Sequence, residues 1–274
     1  MTLRFNSDGT FRVLQMADIQ DGPNVREDTI RLIEAAIKKT HPDLIVFTGD
    51  QIRGYDPAYI DTFLRRRGEN PGARVRLVTE IEAKLHGIHR RIAARRDPDL
   101  PPQDDVVTMD DLMNDTRQKV RDTFSAFLGP VINAGVPFAA TYGNHDFQCG
   151  ILPDEQDDIY REFPGCLNPE ADVAGGSPLA IEPGTFALPV LSSDGSEHVA
   201  MGVMLVNSGD YAGNPEENDA QYPRYVAHSR GLDLADSDGY GTPSAEAIAW
   251  LGDVQRTLAE RNGDGEPVPS ITFQ

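Results

Sequence analysis

Three short stretches gather polar donors where apolar runs end. "ADIQD" puts Asp18 and Gln20 after Phe11–Ala17, "TGDQ" puts Asp50 after Leu44–Phe47, and "GNHD" puts Asn144, His145 and Asp146 after Val136–Tyr142. Carboxylate, carboxamide and imidazole are the oxygen and nitrogen donors on which ligand binding and acid–base chemistry draw. Gly, Asn and Asp are also ordinary turn residues, so each stretch alone reads equally well as a turn. Three such stretches in this order, each closing an apolar run, are hard to explain as turns.

The elements that must position them alternate along the chain. Phe11–Ala17 reads as a strand, and Asn24 to Glu27 as a capping box that opens a helix with Ile30, Ile33 and Ile37 on one face and Lys38 and Lys39 at its C-terminus. Leu44–Phe47 is apolar without alternation, as expected of a central strand covered on both faces. A strand, helix, strand unit predicts parallel strands joined by a right-handed crossover. In open α/β sheets ligands bind outside the carboxyl ends of the strands, so Asp18, Gln20, Asp50 and the GNHD group are expected to converge there.

Asp18-x-Gln20, Gly49-Asp50 and Gly143-Asn144-His145-Asp146 resemble the ordered D-x-H, G-D and G-N-H-[D/E] blocks of the calcineurin-like metallophosphoesterases. The resemblance runs from about residue 11 to the end of the chain. "LVNSGDY" (Leu205 to Tyr211), "GYGTPS" (Gly239 to Ser244) and the helix around Trp250 and Leu251 are similar to the purple acid phosphatase-like branch. The resemblance implies an α/β fold, a four-layer α/β/β/α sandwich of two mixed sheets. It also implies two divalent metal ions and hydrolysis of a phosphomonoester or small phosphodiester. On this resemblance Asp50 bridges the two ions, Asp18 and Gln20 serve one of them, and the Asn144 amide oxygen serves the other. His145 is the acid for the leaving oxygen, and Asp146 holds its ring. The alternative is a non-catalytic binding module on the same fold.

This sequence departs from the pattern in three places. Gln20 stands where a histidine is commoner, and an amide oxygen, harder and weaker than imidazole, should favour Mn2+, Mg2+ or iron over Zn2+. Arg53 occupies the position of the tyrosine that colours the purple phosphatases. Family members also carry later histidine ligands, whereas "PSITFQ" (Pro269 to Gln274) reads as the strand before the first of these, so the fold is expected to be C-terminally incomplete and its activity impaired. The other histidines do not substitute: His41 precedes a strand, His86 and His89 fall in an expected helix, His198 begins a strand, and His228 sits in an expected loop, "YVAHSRG".

Length and composition bound the rest. A chain of 274 residues with 39% hydrophobic composition suits a single domain over 1–274, with a helical insertion at about 57–112 rich in arginine and closed by the linker "DPDLPPQDD". Ala171 to Pro183 reads as a loop. A net charge of -19 repels nucleic-acid backbones and anionic membranes, and the partner that the resemblance implies is a small phosphate ester. Cys149 and Cys166 are the two cysteines, no signal peptide is visible, and no stretch approaches the roughly 18 apolar residues of a membrane span. A cytoplasmic location is the default expectation.

Overall fold

The structure, a computed structural model, describes residues 2–70, 108–170, 177–213, 223–228 and 230–274, with Gly72, Ile81 and Leu85 between. Strand β1 (Leu3–Arg4) precedes β2 (Val13–Met16), helix α1 (Glu27–Thr40) and β3 (Leu44–Thr48). Helices α2 (Ile60–Arg66) and α3 (Met109–Ala134) lead to β4 (Phe138–Thr141), a 3-10 helix (Asn144–Cys149) and α4 (Pro153–Arg161). Strands β5 (Ala180–Glu182), β6 (Thr185–Leu191), β7 (Val199–Leu205), β8 (Arg224–His228) and β9 (Gly231–Asp236), helix α5 (Ala245–Asn262) and β10 (Ser270–Phe273) complete the order.

Strands β2, β3 and β4 form a wholly parallel sheet with β3 in the middle, rather than the second mixed sheet expected. The other large sheet is mixed: β1, β6, β7 and β10 in that order, with β5 also on β6. A separate hairpin joins β8 to β9. The run Leu44-Ile-Val-Phe47 lacks alternation because it serves two cores. Leu44 and Val46 pack with Phe186, Val203 and Leu205 of the mixed sheet, while Ile45 and Phe47 pack with Ile33 and Ile37 of α1 and Phe124 and Phe127 of α3. The far face of the mixed sheet is covered by Trp250 and Val254 of α5. The layers are therefore helix, sheet, sheet, helix, the four-layer α/β/β/α sandwich read from the motifs.

Helix ends follow local chemistry, with one correction. Thr108 and Asp111 exchange the two hydrogen bonds of a capping box at the start of α3 (Asp111 N to Thr108 Oγ1, 3.1 Å; Thr108 N to Asp111 Oδ2, 2.9 Å). Helix α1 has no such box at Asn24. Its N-cap is Arg26, without a capping side chain, and Asp21 intervenes by accepting from Arg26 N (3.2 Å) and Thr29 Oγ1 (2.7 Å). Ile33 and Ile37 are buried and Ile30 is partly so, and Lys38 and Lys39 lie in the last turn as expected.

Two loop expectations also change. Ala180–Glu182 of the expected loop is a strand, and 171–176 lie outside the described residues. His228 ends strand β8 instead of sitting in a loop, and its Nε2 lies 3.3 Å from Asp233 Oδ2 across the exposed hairpin. Most of the arginine-rich insertion, including Arg74, Arg76, Arg90, Arg91, Arg95, Arg96, His86 and His89, falls outside the described residues. The arginines that are described are engaged in the fold: Arg65 pairs with Asp61, and Arg66 with Glu155 and the Gly150 carbonyl. Arg67 lies over the Phe63 ring at 5.1 Å. Among the described residues no helix is long and apolar enough to cross a membrane.

Candidate metal centre and active site

The parallel sheet ends in two loops that keep pairing after its strands stop. Asp18 N donates to Gly49 O (3.1 Å), Gln20 N to Asp50 O (3.0 Å) and Arg53 N to Asp21 O (3.1 Å). This extension requires left-handed backbone. Asp18 (φ 55), Gln20 (φ 41) and Asp50 (φ 56) are three of the four non-glycine residues with positive φ among those described, the fourth being His41. Each such residue costs on the order of 1–2 kcal/mol, and strain of this kind persists only where the surroundings enforce it. Ile19 between them is buried in the helix-side core and pins the segment, so that its polar neighbours stay outside.

Glycine serves close approach here. Gly49 has φ 96, and a Cβ on it would lie 2.6 Å from Gly143 N. Gly143 itself is extended (φ -102, ψ 176), so the turn does not need its freedom; a Cβ on it would lie 2.3 Å from Asp50 Oδ1. The two strand ends touch backbone to backbone, and that contact delivers Asp50 and Asn144 to one place.

Asp18, Asp50 and Asn144 line one cavity of about 340 Å³, together with Ser208, Gly209, Tyr240 and Gly241 from the loops after β7 and β9. Gln274, just past β10, reaches the same wall. Gln20 ties the carboxylates together: its Nε2 donates to Asp18 Oδ1 and Asp50 Oδ2, both at 3.2 Å. The amide thus places two N–H groups where the carboxylates would otherwise face a cation. A half-turn of the amide exchanges donor for acceptor and offers its oxygen in the same position. Two carboxylates with a carboxamide between them and a second carboxamide on the cavity wall are hard oxygen donors, and this set fits a divalent ion of the Mg2+ or Mn2+ type. Among the described residues, no trio of His, Cys, Asp or Glu could hold a metal ion. The fit therefore rests on the two amides as much as on Asp18 and Asp50.

Asp146 has a different task from the one expected. Its fully buried carboxylate accepts Asp50 N (2.8 Å) and Gly143 N (2.9 Å) on Oδ2 and Ile52 N (2.9 Å) on Oδ1. Burial pushes its pKa up to about 7 against the pull of these donors. It locks the two strand ends together and is not the partner of the His145 ring. That partner is Gln148, whose Oε1 lies 2.9 Å from His145 Nδ1. Gln148 Nε2 donates to Tyr225 Oη (3.0 Å), which donates to Asp210 Oδ1 (3.1 Å). The Asp210 acceptor fixes the direction of this chain, so the Gln148 oxygen faces the ring and Nδ1 carries a hydrogen. Burial raises the Asp210 carboxyl to about 6.

His145 stands beside the cavity. Its backbone N donates to Asp50 Oδ1 (2.9 Å), and its ring is flanked edge-on by Tyr55 (4.8 Å between centroids) and Tyr211 (6.3 Å). Gln148, Tyr55, Tyr211, Tyr225 and Asp210 were not singled out as site residues from the sequence. Only the position of Gln148, three residues after the histidine on one turn, offered a local cue.

A curated relative, "Uncharacterized protein C1020.05" of Schizosaccharomyces pombe (strain 972 / ATCC 24843), is 32% identical over 98 residues, 35% of this chain and 19% of that protein. The match therefore spans about a fifth of the relative's length. A solved crystal structure aligns over 96% of this chain and 83% of its own at 11% identity, with a TM-score of 0.35. Residues 11–188, the segment that carries Asp18, Gln20, Asp50 and the GNHD group, match the calcineurin-like phosphoesterase family, and the chain belongs to that family.

Proposed function

We propose that the protein is a metal-dependent phosphoesterase that hydrolyses a phosphomonoester or a small phosphodiester at a dinuclear centre. The observation that carries this reading is the meeting of Asp18, Asp50 and Asn144 from three strand ends on one cavity, with Gln20 bonded to both carboxylates. Asp18, Gln20 and Asp50 would hold one divalent ion, and Asp50 and Asn144 the other. When bound, such ions neutralise a phosphoryl group and acidify a water for in-line attack. The chain's own residues supply the remainder. Asp146 fixes Asp50, Gln148 holds the His145 ring, and His145 donates a proton to the leaving oxygen.

The segments similar to the purple acid phosphatase-like branch support a place there, since Ser208, Gly209, Tyr240 and Gly241 come from them and form the cavity wall. With -19 net charge, a small ester is favoured over a nucleic acid. Cys149 and Cys166 are free, and burial pushes both thiols up to about 12, in keeping with a reducing cytoplasm. A second reading, a non-catalytic binding module, is favoured by one feature: the Gln20 amide turns its N–H groups, not its oxygen, toward both carboxylates. Elemental analysis together with turnover of an aryl phosphate, for the wild type and His145→Ala, separates them. The enzyme reading expects turnover that requires metal and falls about 10²–10⁴-fold in the variant while metal content holds. Bound metal with no turnover at any Mn2+ concentration supports the binding module.

A further inference from the structure

The cavity that carries the oxygen donors has an aromatic rim. Tyr240 lines it, yet is 73% exposed. Its ring is stacked on Tyr211, with centroids 5.1 Å apart and planes at 29°, and Tyr211 in turn lies edge-on to His145. Exposed aromatics scattered singly over a surface are ordinary. This one is the open end of a stack that begins at the candidate acid.

The backbone holds the ring in place. Tyr211 and Tyr240 form an antiparallel bridge, Ala212 N donates to Gly239 O (2.8 Å), and Asp238 N donates to Ala212 O (3.2 Å). A Cβ on Gly241 would lie 2.3 Å from both the Ser208 and Asp210 carbonyl oxygens, so the two loops are packed main chain against main chain. A ring fixed in this way loses little conformational freedom when a flat group is laid on it.

The remainder of the described wall favours such a surface. Among the described residues lining the cavity there is no Lys or Arg, and the chain as a whole carries -19 charge. Bound cations and amides can hold a phosphate there, and the described lining residues offer the rest of the ester mainly uncharged contacts. Its volume, about 340 Å³, lies at the small end of small-molecule sites.

We infer that Tyr240, backed by Tyr211, is the binding face for a planar aromatic group carried by the leaving alcohol of the phosphate ester, an aryl ring or a nucleobase. This inference rests on the phosphoesterase reading for its phosphate half only. Stacking of a base on an aromatic side chain commonly changes affinity by at least about fivefold.

Calorimetric binding in the presence of Mn2+ tests it, with AMP, ribose 5-phosphate, adenosine and phenyl phosphate as probes, on the wild type, Tyr240→Phe and Tyr240→Ala. AMP is expected to bind at least about fivefold more tightly than ribose 5-phosphate, and the difference should survive in Tyr240→Phe and vanish in Tyr240→Ala. Phenyl phosphate binding as well as AMP identifies a general aryl surface, and AMP alone a nucleobase surface. Equal binding of AMP and ribose 5-phosphate by the wild type overturns the aromatic subsite and leaves the phosphoesterase reading standing. Tyr240-dependent binding of adenosine, with no gain from the phosphate, keeps the subsite and overturns the phosphoesterase reading. Absence of binding by all four probes overturns both.

Discussion

Asp146 Oδ2 accepts the backbone N–H of Asp50 at 2.8 Å, so the last carboxylate of GNHD holds the aspartate of the Gly-Asp block in place from 96 residues away. With Gly143 N and Ile52 N on the same carboxylate, three backbone donors depend on one fully buried side chain. Asp146→Asn would turn an N–H donor toward at least one of them. A stability loss of about 1–3 kcal/mol is expected, the cost of a buried donor without an acceptor. Urea denaturation measures it. Unchanged stability would show that these three hydrogen bonds do not hold the strand ends together.

Gly143→Ala tests the close approach directly. A Cβ at that position would meet Asp50 Oδ1 at 2.3 Å, although the backbone there is extended and tolerates alanine. The strand ends must separate or Asp50 must turn away, so overpacking costs about 1–3 kcal/mol and Mn2+ retention falls. Wild-type metal content in a folded variant would contradict the contact.

The polarity of the Gln148 chain yields a spectroscopic prediction. Asp210 accepts from Tyr225, Tyr225 from Gln148, and the Gln148 oxygen is left for His145 Nδ1. Neutral His145 should therefore carry its hydrogen on Nδ1 and keep Nε2 open. In Gln148→Leu the preference should disappear and the ring should sample both tautomers. Ring ¹⁵N shifts distinguish them, and an Nε2–H wild type would refute the assignment.

The sequence disclosed the strand ends and concealed what joins them. β3 stands out because both of its faces are buried, leaving Leu44-Ile-Val-Phe47 unbroken by polar residues. Asp18, Asp50 and Asn144 could be placed at strand ends from such runs alone. The partners of Asp146 could not, because they are main-chain N–H groups, which nearly every residue offers. The Gln148, Tyr225, Asp210 chain was hidden for another reason: Gln148 and Tyr225 are 77 residues apart, and the hairpin that carries Tyr225 leaves no local mark on the histidine. At α1 the Asn24 capping pattern was real in composition but lost to Asp21, whose carboxylate already takes Arg26 N and the Thr29 hydroxyl.

Asp157 makes stability depend on pH. It is buried, accepts from Tyr142 Oη and from Asn168 Nδ2 (2.7 Å), and burial raises its carboxyl from 3.8 to about 6. The native state thus binds the proton more tightly than the unfolded state. The contribution is present below the unfolded value and is lost as pH rises through about 6. Asp157→Asn keeps an oxygen acceptor without the titration. Relative to wild type, the variant should gain on the order of 1–3 kcal/mol between pH 4 and pH 7, measured by urea denaturation at each pH. A difference that does not change with pH would contradict a raised carboxyl.

The donor inventory sets the last expectation, metal occupancy. On the proposed assignment one position would have Asp18, Gln20 and Asp50 and the other Asp50 and Asn144, so the first would be one carboxylate richer. Hard cations tolerate water in vacant positions, and an amide oxygen suits them better than it suits Zn2+. Elemental analysis of the 274-residue chain should find Mn2+ or Mg2+ held weakly at no more than about one ion per chain, with aryl phosphate turnover low and rising with Mn2+ concentration. Gln20→His replaces the amide by an imidazole, a better ligand for Zn2+, and should increase Zn2+ retention severalfold. Removing the amide also removes the two hydrogen bonds that now join Asp18 to Asp50, so the metal-free variant should be less stable than the wild type, and added Zn2+ should restore it. Two tightly held ions in the wild type, or a Gln20→His variant indifferent to Zn2+, would place the ligands elsewhere.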